Sequence, residues 1–327
     1  MQEFSGIEPN PTYETMMRAV EHVREKKIDF LLAVGGGSVI DGTKFVAAAA
    51  GFDGEPWDIL QTHGKNVNSA MPFGTVLTLP ATGSEMNNGS VIMRKSTHSK
   101  FAFLSAHVFP QFSILDPTKT YTLPQRQIAN GVADSFVHII EQYLTYPAQA
   151  LAQDRFAEGL LQTLIEIGPT ALDRSEHYDT RANLMWVATL ALNGLIGAGV
   201  PHDWATHMIG HEITALYGID HARTLAIILP SLLEVQREQK SAKLLQYAER
   251  VWHITEGSDD QRIDQAIRRT RLFFEELGIK TRLSDYKLGR AAIDAIVLQL
   301  EAHGMTALGE RHDISLGVTR TILEGAL

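Results

Sequence analysis

The chain has 327 residues, of which 44% are hydrophobic and 20% are charged, a composition typical of soluble globular proteins. Its formal net charge of −9 argues against nucleic acid or an anionic membrane as a partner, and the absence of cysteine excludes disulfide bonds and thiolate chemistry. No apolar run reaches the ~18 residues of a membrane span, and the N-terminus lacks a signal-peptide pattern. We therefore expect a cytoplasmic enzyme whose length suits two domains.

The first 120 or so residues alternate helical patterns with short apolar runs. Helices are predicted over residues 12–26 and 39–50, and strands over residues 28–34, 75–79, 91–94 and 113–115. Strands that alternate with helices are typical of a parallel sheet covered by helices. This half of the chain is therefore predicted to be an α/β domain over residues 1–122.

From Leu123-Pro124 onward the hydrophobic spacing is almost entirely helical. Glycine and proline predict breaks in the helices at Gly168-Pro169, at residues 197–201 and at Gly218. The second half is therefore predicted to be an all-α domain over residues 123–327.

A glycine-rich turn follows the first predicted strand in FLLAVGGGSVIDGTKF. Glycines allow a ligand to approach the backbone, and the N–H groups of a helix N-terminus favour an anion, so Gly35, Gly36, Gly37 and Ser38 are candidates for binding a nucleotide pyrophosphate. A second loop, LTLPATGSEMNN, places polar side chains after another strand. The alternatives are a tight turn without a ligand and ordinary helix capping by the hydroxyl side chains.

Aspartate and histidine side chains in the second half form a candidate metal site. Asp134 and His138 lie four residues apart in GVADSFVHIIEQ, so they share one face of a helix. The segment WATHMIGHEITALYGIDHARTLA adds His207, His211 and His221. Imidazoles combined with one carboxylate suit Zn²⁺ or Fe²⁺ rather than Mg²⁺ or Ca²⁺. Any one of these histidines alone is more often an ordinary hydrogen-bonded residue than a ligand.

Two long segments, SILDPTKTYTLPQRQIANGVADSFVHIIE and WATHMIGHEITALYGIDHART, together with both glycine-containing loops, resemble the iron-dependent (group III) alcohol dehydrogenase family. The resemblance covers essentially the whole chain. NGLIGAGVPHDWATHMIGHEITALYGIDHARTLAI and KLLQYAERVWHITEGSDD are most similar to its branch of NADPH-dependent aldehyde reductases, also called butanol dehydrogenases. The resemblance implies a dinucleotide-binding α/β domain followed by an all-α metal-binding catalytic domain, the fold that the family shares with dehydroquinate synthase.

The resemblance also implies roles for individual residues. Asp134, His138, His207 and His221 take the metal-ligand positions, and His211 takes a position near the metal and the nicotinamide, where it serves catalysis. The cofactor-binding positions fall on Gly35, Gly36, Gly37, Ser38, Asp41, Thr78, Thr82, Ser84 and Lys100. For Lys100 the alternative is an ordinary solvated surface lysine. Glu141 is interpreted as structural.

The chain departs from the family pattern at its N-terminus. Family members begin with about sixty more residues, which form the first strands of the sheet and a glycine-rich turn at the adenosine ribose, where NADP is distinguished from NAD. Without them we expect unpaired strand edges, exposed apolar faces and weakened nucleotide binding.

The resemblance predicts reversible hydride transfer between NADP(H), in preference to NAD(H), and small aldehydes or primary alcohols, with one Fe²⁺ or Zn²⁺ ion and a homodimeric assembly. Two alternatives remain open. One is a non-redox lyase or synthase of the same architecture that uses NAD and a metal. The other is an inactive fragment whose helical domain survives as a binding unit.

Overall fold

The computed structural model describes residues 1–173 and 176–327, and the chain divides into two compact units, Met1–Thr122 and Leu123–Leu327. Along the described ranges, no helix combines the length and the apolar character that a bilayer span requires. The predicted order of an α/β region followed by a helical region is confirmed.

The first unit contains a parallel sheet and an antiparallel hairpin. Strands β1, β2 and β5 pair in parallel in that order, and β3 pairs with β4 in antiparallel fashion. Its elements are α1 (Tyr13–Lys26), β1 (Leu31–Gly36), α2 (Gly37–Ala49), α3 (Asp58–Gln61), β2 (Phe73–Leu79), β3 (Gly89–Arg94), β4 (Ser99–Leu104) and β5 (Phe112–Leu115).

This unit differs from the sequence prediction in the start of its first strand and in the pairing of its strands, among other details. The first strand begins at Leu31 rather than at Ile28, because the Ile28 N–H bonds back to the Val23 carbonyl in the turn that ends α1. The strand predicted at residues 91–94 does not join the parallel sheet but forms the β3–β4 hairpin, whose second strand the sequence analysis missed.

Helices α1 and α2 cover one face of the parallel sheet. Met16 and Val20 of α1 and Phe45 of α2 belong with Phe73 of β2 to the buried core of this unit. On the opposite face, the alternating side chains of β1 and β5 are each between 47% and 58% exposed, namely Leu32, Val34, Phe112 and Ile114. The unit therefore has an apolar sheet face open to solvent, which is unusual for parallel strands.

The second unit is a bundle of helices with a short antiparallel β-hairpin formed by Ala307–Leu308 and Ile314–Ser315. Its elements are α4 (Gln125–Tyr143), α5 (Leu151–Asp173), α6 (Tyr178–Leu192), α7 (Ala205–Tyr217), α8 (His221–Val235), α9 (Ser241–Arg250), α10 (Asp259–Glu276), α11 (Arg290–Ala302), β6 (Ala307–Leu308), β7 (Ile314–Ser315) and α12 (Leu316–Gly325).

Helix α4 begins after Pro124, and every residue from Ile128 to Tyr143 is buried, so α4 is the central helix of the bundle. The predicted breaks at residues 197–201 and at Gly218 are confirmed, but the break at Gly168-Pro169 is wrong because α5 continues through Pro169. Gly168 packs closely on Val132, Phe273 and Leu277, and this tertiary packing outweighs the backbone hydrogen bond that proline removes.

Candidate active site

The central helix supplies the first two residues of the candidate metal centre. Asp134 and His138 are one turn apart on α4, and both are buried. The His138 Nε2 atom lies 3.9 Å from the Asp134 Oδ1 atom. Two donor atoms that share an ion at about 2.0–2.2 Å each are separated by at most about 4.4 Å. Asp134 and His138 are therefore close enough to coordinate the same ion.

Helix α7 brings a third donor to the same place. The His207 ring stacks on the His138 ring with 4.7 Å between centroids and 18° between planes. The Nδ1 atom of His207 is hydrogen bonded to the Glu141 carboxylate, which assigns the metal-facing role to Nε2. One ligand atom from each of Asp134, His138 and His207 can be chosen so that all lie within 4.8 Å of one another.

His221, the first residue of α8, approaches from a third helix. Its Nε2 atom lies 3.8 Å from Asp134 Oδ1, although His221 falls outside the tightest three-residue cluster and its side chain is 21% exposed. The preceding Asp220 accepts hydrogen bonds from Arg126 and Asn130 of α4, both at 2.8 Å. These contacts fix the start of α8 to the helix that carries Asp134.

A divalent ion fits these residues. The Asp134 Oδ1 atom is inaccessible to solvent and accepts no hydrogen bond from any described residue. A buried carboxylate oxygen in that state is costly, and a bound cation would compensate it. Imidazole nitrogens with one carboxylate form a donor set that suits Zn²⁺ or Fe²⁺.

His211 lies beside the cluster rather than within it. It is buried on α7, one turn after His207, with its ring centroid 6.2 Å from that of His207 and 4.9 Å from that of His221. The tightest three-residue cluster includes neither His211 nor His221, although the Nε2 atom of His221 lies 3.8 Å from Asp134 Oδ1. This position suits a group that exchanges a proton beside an ion without binding it.

Glu141 is more closely tied to the site than the sequence analysis proposed. Besides His207 Nδ1, its carboxylate accepts the backbone N–H groups of Thr206 at 2.7 Å and of His207 at 3.3 Å. Burial and the nearby Asp203 carboxylate raise the pKa of Glu141 well above its usual range, against the lowering effect of those N–H groups. Its spacing of seven residues from Asp134, two turns along one helix face, was the available signal.

In the first unit, the residues of the predicted cofactor loops lie at the start of α2. Gly36 is the N-cap of α2, and no side chain of the described residues caps the free N–H groups there. A Cβ atom on Gly37 would lie 2.4 Å from the Thr82 Oγ1 atom, so the two loops touch at a position that only glycine fits. An uncapped helix start is the arrangement whose backbone N–H groups favour an anion.

The remaining predicted cofactor residues belong to the same unit, and Asp41, Ser84 and Lys100 take part in side-chain hydrogen bonds. Both carboxylate oxygens of Asp41 are hydrogen bonded, one by the Ser84 hydroxyl and one by the Val91 N–H. Thr78 lies near the carboxyl end of β2. Lys100 is buried and donates to the Asn10 side chain at 2.9 Å, so the alternative of a solvated surface lysine is wrong.

Lys44, which the sequence analysis missed, holds the second loop in place. Its fully buried ammonium donates to the Asn87 side chain and the Gly89 carbonyl, both at 2.8 Å. Burial outweighs the attraction of Asp41 and Glu85 and lowers the pKa of Lys44 to about 8. The spacing of three residues from Asp41 on one helix was a weak signal for this pair.

Known proteins resemble this chain over almost its full length. The NADPH-dependent aldehyde reductase YqhD of Escherichia coli is 66% identical over 326 residues, which are 99% of this chain and 84% of that protein. The NADH-dependent butanol dehydrogenase A of Clostridium acetobutylicum is 37% identical, over 96% of this chain and 81% of that protein.

Solved structures agree with this likeness. The crystal structure of E. coli YqhD superposes with a TM-score of 0.99 at 66% identity, covering 100% of this chain and 84% of that one. The NADH-dependent butanol dehydrogenase A of Thermotoga maritima gives a TM-score of 0.93 at 33% identity, covering 99% of this chain and 83% of that one.

Two family models match, the iron-containing alcohol dehydrogenase model over residues 1–117 and the C-terminal model of the Fe-containing alcohol dehydrogenase family over residues 128–308. The chain therefore belongs to the iron-containing alcohol dehydrogenase family of oxidoreductases.

Proposed function

We propose that this chain is an NADPH-dependent aldehyde reductase that converts small aldehydes to primary alcohols and catalyses the reverse reaction. Its ion is Fe²⁺ or Zn²⁺, held by Asp134, His138, His207 and His221. The observation that carries the proposal is the convergence of these side chains from three helices on the solvent-inaccessible Asp134 Oδ1 atom. The identity of 66% to an aldehyde reductase supports the substrate class.

When bound, the ion supplies Lewis-acid polarisation of the aldehyde oxygen and the nicotinamide supplies the hydride. The protein supplies position and charge. Three neutral imidazoles and one carboxylate leave the site a net positive charge, which favours the oxygen that becomes negative as the carbonyl is reduced. Glu141 keeps His207 in one tautomer and orientation.

We assign His211 the role of exchanging the alcohol proton. Its ring lies close to His207 and His221, so a proton held on it is near the reacting oxygen, directly or through one water molecule. Burial at this position limits competing exchange with bulk water.

The cofactor is proposed to bind with its pyrophosphate over residues 35–38 and against the second loop at Thr82 and Ser84. Asp41 and Lys100 complete this region, with Thr78 at the end of its strand. The NADPH-dependent relative at 66% identity favours NADP(H), whereas relatives at 43% and 37% identity are named as NADH-dependent. The ratio of kcat/KM for NADPH to that for NADH measures the preference directly.

The test is NADPH oxidation with butanal, recorded for the chain as purified and after loading with Zn²⁺ or Fe²⁺. Net NADPH consumption that depends on the ion is expected. A chain that takes up one ion but consumes no NADPH with any small aldehyde would instead favour a lyase or synthase of this architecture. We also propose a cytoplasmic homodimer, for which light scattering after size exclusion gives the mass.

A further inference from the structure

The indole of Trp204 packs against two of the proposed metal ligands. Its ring centroid lies 5.3 Å from that of His207 and 6.3 Å from that of His138, with the planes steeply inclined in both cases. His211 contacts a different pair, His207 and His221. The two rings thus share His207 as a neighbour, while Trp204 also contacts the ring of His138 and His211 also contacts that of His221.

A neighbouring histidine holds this ring in place. The Trp204 Nε1–H group donates to His202 Nδ1 at 3.2 Å, and His202 Nε2 lies 2.9 Å from the Gly197 carbonyl oxygen, which fixes the tautomer. A Cβ atom on Gly197 would lie 2.6 Å from His202 Nε2, so glycine is required for this approach. The segment between α6 and α7 is therefore built to position the indole.

The backbone at Trp204 has an unfavourable conformation. Its φ of 62° and ψ of 5° lie in the left-handed region, which a bulky side chain rarely adopts. The Asp203 carboxylate caps the next residue, and the buried Lys240 pairs with Asp203 at 2.9 Å, so the surrounding structure enforces this geometry. Strain of this kind persists where a side chain must be aimed at a functional site.

We propose that Trp204 is a specificity-determining residue, the apolar wall of the aldehyde pocket beside the ion, and that His202 is its positioning residue. This inference rests on the proposed function. Trp204 remains partly exposed although its ring contacts the rings of His138 and His207, so a large side chain beside two proposed ligands keeps solvent-accessible surface. A flat, rigid wall there accepts an unbranched alkyl chain and excludes a branched one.

The first test compares two aldehydes, butanal and trimethylacetaldehyde. Trp204→Ala should raise the kcat/KM ratio of the branched to the linear aldehyde by roughly tenfold, the size of effect that a change of pocket shape produces. His202→Ala should shift the ratio in the same direction by less, and His202→Asn, whose amide oxygen accepts from Nε1–H, should restore it. Trp186→Phe, on the exposed side of α6, is the control and should leave the ratio unchanged.

The second test does not depend on activity. Co²⁺ bound by His207 and His138 should quench the fluorescence of Trp204, whose indole contacts both imidazole rings. Zn²⁺, which has a closed d shell, should not quench it. The Co²⁺ quenching should disappear in Trp204→Phe and persist in Trp186→Phe.

An active wild type whose Trp204→Ala variant keeps its ion and the same branched-to-linear ratio would overturn the inference. Loss of the ion in that variant would also overturn it, since the indole would then be a structural support for the ligands. A wild type that consumes no NADPH with either aldehyde would instead contradict the proposed function, and the quenching result would still show whether Trp204 borders the ion.

Discussion

The candidate sites of the two units are built from different features of the chain. In the helical unit, the site consists of side chains, with Asp134, His138 and His207 buried and converging from α4 and α7. In the α/β unit, the site consists of places where side chains are missing, since the turn at Gly36 offers backbone N–H groups and Gly37 touches the Thr82 side chain directly. One site needs particular donor atoms and the other needs particular empty space.

This difference predicts two kinds of mutational failure. Removing a donor side chain from the helical site should abolish metal binding. The helical unit should remain folded, because the surrounding hydrophobic core is unchanged. Adding atoms to the glycine-rich turn of the α/β unit should lower the affinity for the cofactor, because a new side chain would clash with the neighbouring loop. The metal content of the chain should not change.

His207→Ala should reduce bound metal to well under one ion per chain and abolish turnover, because it removes one ligand and the partner of Glu141 together. Metal analysis by mass spectrometry and the NADPH-oxidation assay measure the two effects. His221→Ala should behave similarly. Full metal content in both variants would contradict the ligand assignment.

His211→Ala should keep the ion and lower kcat by roughly 10²- to 10⁴-fold, as the loss of a general acid does. Its ring lies beside that of the proposed ligand His221, with 4.9 Å between the centroids. The informative comparison is kcat at matched metal occupancy. If the variant lost its ion, His211 would belong to the ligand set instead.

Glu141→Gln should lower metal affinity by about 10- to 100-fold, as changes in residues that orient metal-binding histidines do. An amide can still accept the N–H of Thr206 but presents its NH₂ group poorly to His207 Nδ1–H. Competition with a chelator of known affinity gives the change. If the metal affinity of Glu141→Gln were unaltered, Glu141 would have only a structural role.

The contrast between the units also explains what the sequence could predict. Asp134 and His138 were predictable because one helix fixes their spacing, and the long signature segments added His207 and His221 by resemblance. Helix spacing placed Glu141 on the face of Asp134, but its bond to His207 was not predictable because it depends on how α4 and α7 pack. Trp204 and His202 gave no sequence signal, because their contacts depend on how the segment before α7 folds.

Errors in the fold prediction have the same origin. Pro169 ordinarily ends a helix, but α5 continues because its neighbours pack against Gly168. The sequence of β3 predicts a strand but not the sheet that it joins, because the pairing of strands depends on tertiary structure. The structure pairs β3 with β4 in a hairpin. Periodicity thus predicted the type of most elements, and packing decided their limits and partners.

Gly37→Ala should raise the KM for NADPH by roughly tenfold to a hundredfold, the cost of misplacing a binding element by about an ångström. The new Cβ atom would lie 2.4 Å from Thr82 Oγ1, so one of the two loops must move. Metal content should remain that of the wild type. Gly51→Ala in the same unit has no described atom within 4 Å of its Cβ and is the matched control.

The smallest expected effect is a change in the free energy of unfolding at two glycines of α5. Comparing them separates the intrinsic cost of glycine in a helix from the need for space around it. Gly159 is exposed, and a Cβ atom there meets no described atom within 4 Å, so Gly159→Ala should raise the free energy of unfolding by about 0.5–1 kcal/mol. Gly168→Ala adds the same methyl group 3.2 Å from Val132 and 3.4 Å from Phe273, which should cancel that gain. Urea denaturation of both variants, with metal content and kcat expected to be unchanged in Gly159→Ala, gives the comparison. A destabilised Gly159→Ala would mean that even a glycine of α5 with open space around it cannot take a side chain, and the attribution of the Gly168→Ala result to its close contacts would fail.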